Sequence, residues 1–132
     1  MQAVNSLEAV PAIRRIDTDR GDLFAIDVVG HVSPMDAENL FGLLEAAYLL
    51  HPRLDALVRL IDHDGVDWRE ISEDTLRQGF ASAVDHIGRC AAIGEPDWTT
   101  AALRVLPSPI ELRHFDTGDQ IEAWRWLAAR EL

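Results

Sequence analysis

The clearest pattern in the chain is Leu54, Ala56, Val58 and Leu60, four apolar residues at period two. Such alternation marks a strand with one face against a core. Asp55, Leu57, Arg59 and Ile61 alternate with them and form a mixed face, so partial cover is expected there. Asp62-His63-Asp64-Gly65 reads as the loop that follows. In an open α/β sheet, ligands gather beyond the carboxyl ends of the strands, so this loop is the first place to look for a site.

Two earlier strands are expected, over Pro11 to Asp17 and Leu23 to Val32, joined by a turn at Gly21 as an antiparallel hairpin. In the second, Phe24, Ile26 and Val28 alternate with Leu23, Ala25 and Asp27. Ser33-Pro34-Met35-Asp36 opens a helix: Ser33 caps it, Pro34 takes the first helical position and Asp36 meets the positive first turn. Ala37, Leu40, Phe41, Leu44 and Tyr48 form its inward stripe. Leu43, Ala47 and Leu50 widen that stripe beyond one core face. A deeply buried helix or a face against a second subunit or a lipid surface would each use the surplus. Pro52 ends the helix, because the residue before proline avoids helical angles.

Ser72 caps the next helix, with Ile71 and Leu76 as a hydrophobic staple and Leu76, Phe80, Ala83, Val84 and Ile87 inward. A short strand spans Arg89 to Gly94. A helix from Asp97 or Thr99 to Leu106 stops at Pro107-Ser-Pro109, and Ile110 to Phe115 is the last strand. Thr117-Gly-Asp-Gln120 reads as a capping box, and the final helix turns Ile121, Trp124, Leu127 and Ala128 inward. The order β-β-α-β-α-β-α-β-α predicts one α/β domain over residues 1–132, with 1–10 a loosely ordered lead-in. It holds a single five-stranded, mixed and mainly parallel sheet. Strands laid down in sequence with right-handed crossovers put the helices mostly on one face. Asp27 and Arg59 share the other face and read as a cross-strand ion pair.

Charge narrows the partners. The 132 residues carry a formal net charge of -11, from 23 acidic and 12 basic residues, and every basic residue is arginine. That balance opposes nucleic acid, which needs a basic surface, and gives no electrostatic support to peripheral membrane contact. Cys90 is the single cysteine, sits in an expected strand, and reads as a buried inert thiol. The N-terminus lacks a signal-peptide pattern and no apolar run reaches membrane-spanning length, so a cytoplasmic location is the expectation.

The strand ends collect polar groups: His31, then Asp62, His63 and Asp64, then Glu95 and Asp97, then His114 and Asp116. Imidazole with carboxylate is a ligand set for transition metals and for acid–base work. Yet loops at strand ends are polar in any protein, and no two of these histidines stand at the i, i+4 spacing of a helical metal motif. No nucleophile elbow, phosphate loop or cysteine–histidine pair is present. No catalytic residue, metal or cofactor is therefore assigned. Trp68 and Trp98 fall near the same edge, where aromatic rings either lid the core or line a cleft for an apolar ligand.

Leu57-Val-Arg-Leu-Ile-Asp62, Gly65-Val-Asp-Trp68, His86 to Ile93, Asp97-Trp98, Ile110 to Phe115 and Glu122-Ala-Trp-Arg-Trp-Leu127 together resemble the SpoIIAA-like family of small bacterial domains with a STAS-type fold. The resemblance covers roughly residues 10–128. It implies a five-stranded mixed sheet with about four helices, and likeness to the lipid-binding CRAL-TRIO fold. It also implies binding of a small apolar ligand or membrane association. Anti-anti-sigma proteins of the wider group carry a phosphorylatable serine at the start of the helix after the central strand. Here Asp62 to Trp68 holds no serine or threonine, and Ser72 reads as a cap, so no phospho-switch is expected.

The function expected is a non-enzymatic module binding a small apolar or lipid-like ligand. Its site is composed of Leu40, Phe41, Leu44, Asp62, His63, Trp68, Phe80 and Trp98. The alternatives are a STAS-type protein-interaction domain, with a homodimer or other partner on an exposed apolar patch of the first helix, and, third, a metal-dependent enzyme on the His/Asp edge.

Overall fold

The computed structural model describes residues 12–66, 70–94 and 110–132, and of residues 62–66 the backbone alone. Five strands stand side by side in chain order: β1 (Ile13–Arg15), β2 (Leu23–Val32), β3 (Leu54–Val66), β4 (Ile87–Ile93) and β5 (Glu111–Phe115). β1 pairs antiparallel with β2, and the remaining neighbours are parallel. This is the mixed, mainly parallel sheet that the hydrophobic pattern predicts, with β3 in the middle.

Alternation sorts each strand's residues into two cores. Phe24, Ile26 and Val28 of β2, with Leu54 and Ala56 of β3, face one side. There they meet Leu44 and Tyr48 of α1 (Pro34–Leu50) and Ala83 of α2 (Glu73–His86). Leu23, Ala25, Leu57, Ala91 and Ile93 face the other side, against Ala123, Trp124 and Leu127. Ala25, Leu57 and Ala91 lie in one register row across β2, β3 and β4. The two alanines in that row leave space for α3 (Gln120–Trp126) to approach closely, and Ala123 is fully buried there.

α1 begins as its sequence predicts. Ser33 Oγ accepts the Asp36 N–H at 3.2 Å, and the Ser33 N–H donates to the Asp36 carboxylate at 2.9 Å. These reciprocal bonds satisfy donors that the first helical turn leaves unpaired. Ser72 caps α2 in the same way, accepting the Thr75 N–H at 3.3 Å. Gly79 lets the two helices meet: a β-carbon there would overlap the Phe41 ring.

Several expectations need correction. β3 does not stop at Ile61; Asp62, His63 and Asp64 continue it to Val66, paired with His31 and Val32 of β2 across a bulge. The ladder resumes beyond them at His31↔Gly65 and Val32↔Val66, so the strand runs through these polar residues and they form no loop. β1 is shorter than Pro11 to Asp17. The predicted capping box at Thr117 is not made: Thr117–Asp119 is a 3₁₀ turn with no side-chain cap. At 100° per residue Ala123 and Trp124 flank Leu127 on the buried side while Ile121 stands about 120° from Leu127, so Ile121 is 68% exposed and Ala123 faces inward in its place. Ala128 lies past the helix end at φ 53°. α3 is not a crossover between strands, so the one-face rule does not bind it, and it covers the second face while α1 and α2 cover the first. The expected helix from Asp97 or Thr99 to Leu106 and the lead-in 1–10 lie outside the described residues.

Candidate functional site

α1 has more apolar surface than the core takes. Ala37, Leu44 and Tyr48 are buried. Met35 is 71% exposed, Leu43 41%, Leu49 86% and Leu50 78%. At 100° per residue, Met35, Asn39, Gly42, Leu43, Ala46, Leu49 and Leu50 fall within one arc of about 120° that holds no charge. Every one of them is exposed. Glu38 and Glu45 border the arc on the α2 side, where Tyr48 stacks on His86 of α2 at 4.2 Å.

The opposite border is a groove of about 170 Å³ between α1 and the hairpin. Arg15, Phe24, Leu43, Ala47, Leu50 and Leu54 line it, with Asp22 and His51. The Arg15 guanidinium lies over the Phe24 ring at 4.2 Å. Asp22 is engaged by Arg20, at 2.6 and 3.1 Å, and Arg20 also meets Asp55 at 2.8 Å. These hydrogen bonds hold the Asp22 carboxyl below its usual range against a small opposing effect of burial.

The second sheet face carries a polar cluster. Arg59 reaches Asp27 at 2.6 Å, as the register Asp27↔Arg59 requires, and Glu131 at 3.0 Å. Its Nη1 also donates to Gln120 at 3.2 Å. The hydrogen bond from Arg59 holds the Glu131 carboxyl below its usual range. Thr18 pairs with Glu131 and the Leu132 N–H donates to the Asp17 carbonyl at 2.9 Å, so the cluster fastens the C-terminal segment to the sheet. All these donors and acceptors are used, which marks the cluster as structural.

The site residues named from sequence are dispersed. Leu40 and Phe41 are half-buried against the first core and Leu44 is buried in it. Phe80 meets Phe41 edge to face at 6.2 Å, so two of the expected lining residues fill space between the helices. Asp62 and His63 belong to β3, and their side chains lie outside the described residues, as do Trp68 and Trp98 entirely. His114 Nε2 donates to the Gly94 carbonyl at 2.5 Å and stands 3.9 Å from Asp116. Among the described residues no group of three or more His, Cys, Asp or Glu side chains is placed to hold a metal ion. Cys90 is buried, and burial pushes its thiol up to about 12. Tyr48 carries a buried hydroxyl with no hydrogen-bond partner among the described residues, and burial pushes it too up to about 12. Among the described residues no helix is long and apolar enough to cross a membrane.

A family model described as SpoIIAA-like matches residues 23–128. The chain belongs to the SpoIIAA-like family. Its fold is similar to the crystal structure of an uncharacterized protein from the DUF3478 family, with a SpoIIAA-like fold, from Shewanella loihica PV-4. The two are 27% identical, the match covers 89% of this chain and 95% of that one, and the TM-score is 0.65. No curated protein matches the chain. Within this SpoIIAA-like domain, sequence reasoning passed over the groove. Its one available signal was the surplus of Leu43, Ala47 and Leu50 on α1.

Proposed function

We propose that this SpoIIAA-like domain is a non-enzymatic interaction module of the STAS type, docking a partner on the outer face of α1. The observation that carries the reading is the uncharged arc from Met35 to Leu50. Contiguous apolar surface on a monomer marks an interaction site or a ligand groove. Glu38 and Glu45 beside the arc oppose an anionic lipid surface and leave a protein partner as the better fit.

A second reading has its own support. The groove beside the arc has an apolar wall of Phe24, Leu43, Leu50 and Leu54. It would take a small apolar or lipid-like molecule, though it is smaller than the ~300 Å³ at which ligand pockets begin. Native mass spectrometry after gentle purification separates the two. Docking predicts the ligand-free chain mass, alone or with a protein partner that Leu43→Asp removes. A co-purifying small molecule lost in Phe24→Ala would favour the groove. Neither species in the wild type, with Leu43→Asp unchanged in every interaction assay, would sink the docking reading.

A further inference from the structure

Taking the α1 docking face as read, we propose that its partner is a basic amphipathic helix, with apolar side chains for the arc and arginine or lysine for its acidic border. Three observations bear on the occupant. The first is charge at the border: Glu38 and Glu45 both stand exposed on the α2 side of the arc, with no salt bridge to either among the described residues. The second is the end of α1. Its last turn holds no basic residue, and Leu49 and Leu50 leave that turn open to solvent. A helix C-terminus carries partial negative charge, so a partner's cation is favoured there. The third is size. A 17-residue helix presents a face about 25 Å long and 10 Å wide. That suits one helix laid along a groove, and falls well short of the ~800 Å² per partner of a stable dimer.

A second copy of this chain fits poorly for the same reasons. A two-fold antiparallel pairing of α1 with itself sets each border against its own image, so Glu38 and Glu45 would face Glu38 and Glu45. The formal charge of -11 on each copy adds to that repulsion. Arg15 lies on the far side of the groove over Phe24 and does not neutralise the acidic border.

The test uses two labelled synthetic peptides of the same length with leucine at helical spacing, one with lysine and one with glutamate elsewhere. Binding to the full chain is followed by fluorescence anisotropy at low and at raised salt. The lysine peptide binds, weakens as salt rises, and outbinds the glutamate peptide. Glu38→Gln with Glu45→Gln weakens it about two- to five-fold per charge removed, the range for exposed pairs. The control Glu111→Gln with Glu122→Gln, on the opposite end of the sheet and on α3, changes it less. Leu43→Asp removes binding, and Leu49→Asp, at a site outside the core, does so without risk to the fold. Equal binding of both peptides, no binding of either, or an effect of the control pair equal to that of Glu38 and Glu45 overturns the basic class. If Leu43→Asp and Leu49→Asp leave lysine-peptide binding intact, the docking face itself is wrong. A wild-type dimer in sedimentation that Leu49→Asp abolishes would assign the face to a second copy instead.

Discussion

Gly79→Ala should destabilise the domain, and removing one ring should reverse the sign. Gly79 is a buried position inside α2, where alanine is normally the better residue by ~1 kcal/mol. Here the new β-carbon would stand 2.5 and 2.6 Å from Cδ1 and Cζ of Phe41. Phe41 must swing away and give up its edge-on contact with Phe80, worth ~0.5–1.5 kcal/mol. The forced shift of α1 from α2 adds an overpacking cost of ~1–3 kcal/mol. Against the helix gain, the net loss should be ~0.5–3.5 kcal/mol by these three effects. In Phe41→Ala the obstacle is absent, and Gly79→Ala should then stabilise by up to ~1 kcal/mol. Urea denaturation of the wild type, both single variants and the double variant gives the cycle. The coupling should be ~2 kcal/mol or more, within the range for residues in contact. Gly79→Ala destabilising equally in both backgrounds would refute the claim that this glycine exists to admit Phe41. The result matters to function, because this contact sets how closely α1, which carries the outer face, approaches α2.

Other tests address separate parts of the molecule. Arg59→Met should cost ~1–3 kcal/mol in denaturant unfolding, since Asp27 loses its partner on a half-covered face; an unchanged midpoint would contradict the structural role of the cluster. Acid should destabilise the domain through Glu131 and Asp22. Their folded values lie below the ordinary 4.5 and 3.8, so the stability they give is present above those values and is lost as pH falls through the folded ones. Arg59→Met should make that acid limb shallower, and a limb unchanged in slope would show that Glu131 does not contribute. Tyr48→Phe removes a buried hydroxyl without a partner and should be neutral or stabilising by up to ~1 kcal/mol; a loss above ~1 kcal/mol would mean the hydroxyl is satisfied. Cys90 should resist thiol reagents at pH 8 in the native chain and react on unfolding, because its thiol is buried and held up to about 12.

Most of the sheet was legible because its signals are local. Period-two alternation in Phe24, Ile26, Val28 and in Leu54, Ala56 named both the strands and their inward faces, and the structure keeps these residues in one core. Ser33-Pro-Met-Asp36 set the start of α1 and His51-Pro52 its end, since capping and proline act within one turn. The errors arose where a distant partner overrides local preference. Asp62 to Gly65 looks like a turn by composition, yet parallel pairing resumes at His31↔Gly65 and the strand runs through it to Val66. Ile121 looks inward by spacing, yet the buried arc of α3 centres on Leu127, and Ala123 takes the place against the sheet.

The site was less legible for a related reason. Spacing placed Leu40, Phe41, Leu44 and Phe80 on facing stripes, but whether facing stripes leave a cavity depends on packing, and Phe41 and Phe80 close against each other. The groove by Arg15 and Leu50 forms where α1 meets the hairpin, a tertiary fact with no motif. The surplus leucines of α1 were visible, and they were the one hint of an outward face.

The central claim, that α1 presents a docking face, is tested most directly by mapping amide chemical shifts of the labelled domain while the leucine–lysine helix is added. The account predicts shifts confined to Met35, Gly42, Leu43, Ala46, Leu49 and Leu50, with Glu38 and Glu45 at the border. Shifts centred on β5, α3 or the Arg59 cluster, with those of α1 unmoved, would contradict it.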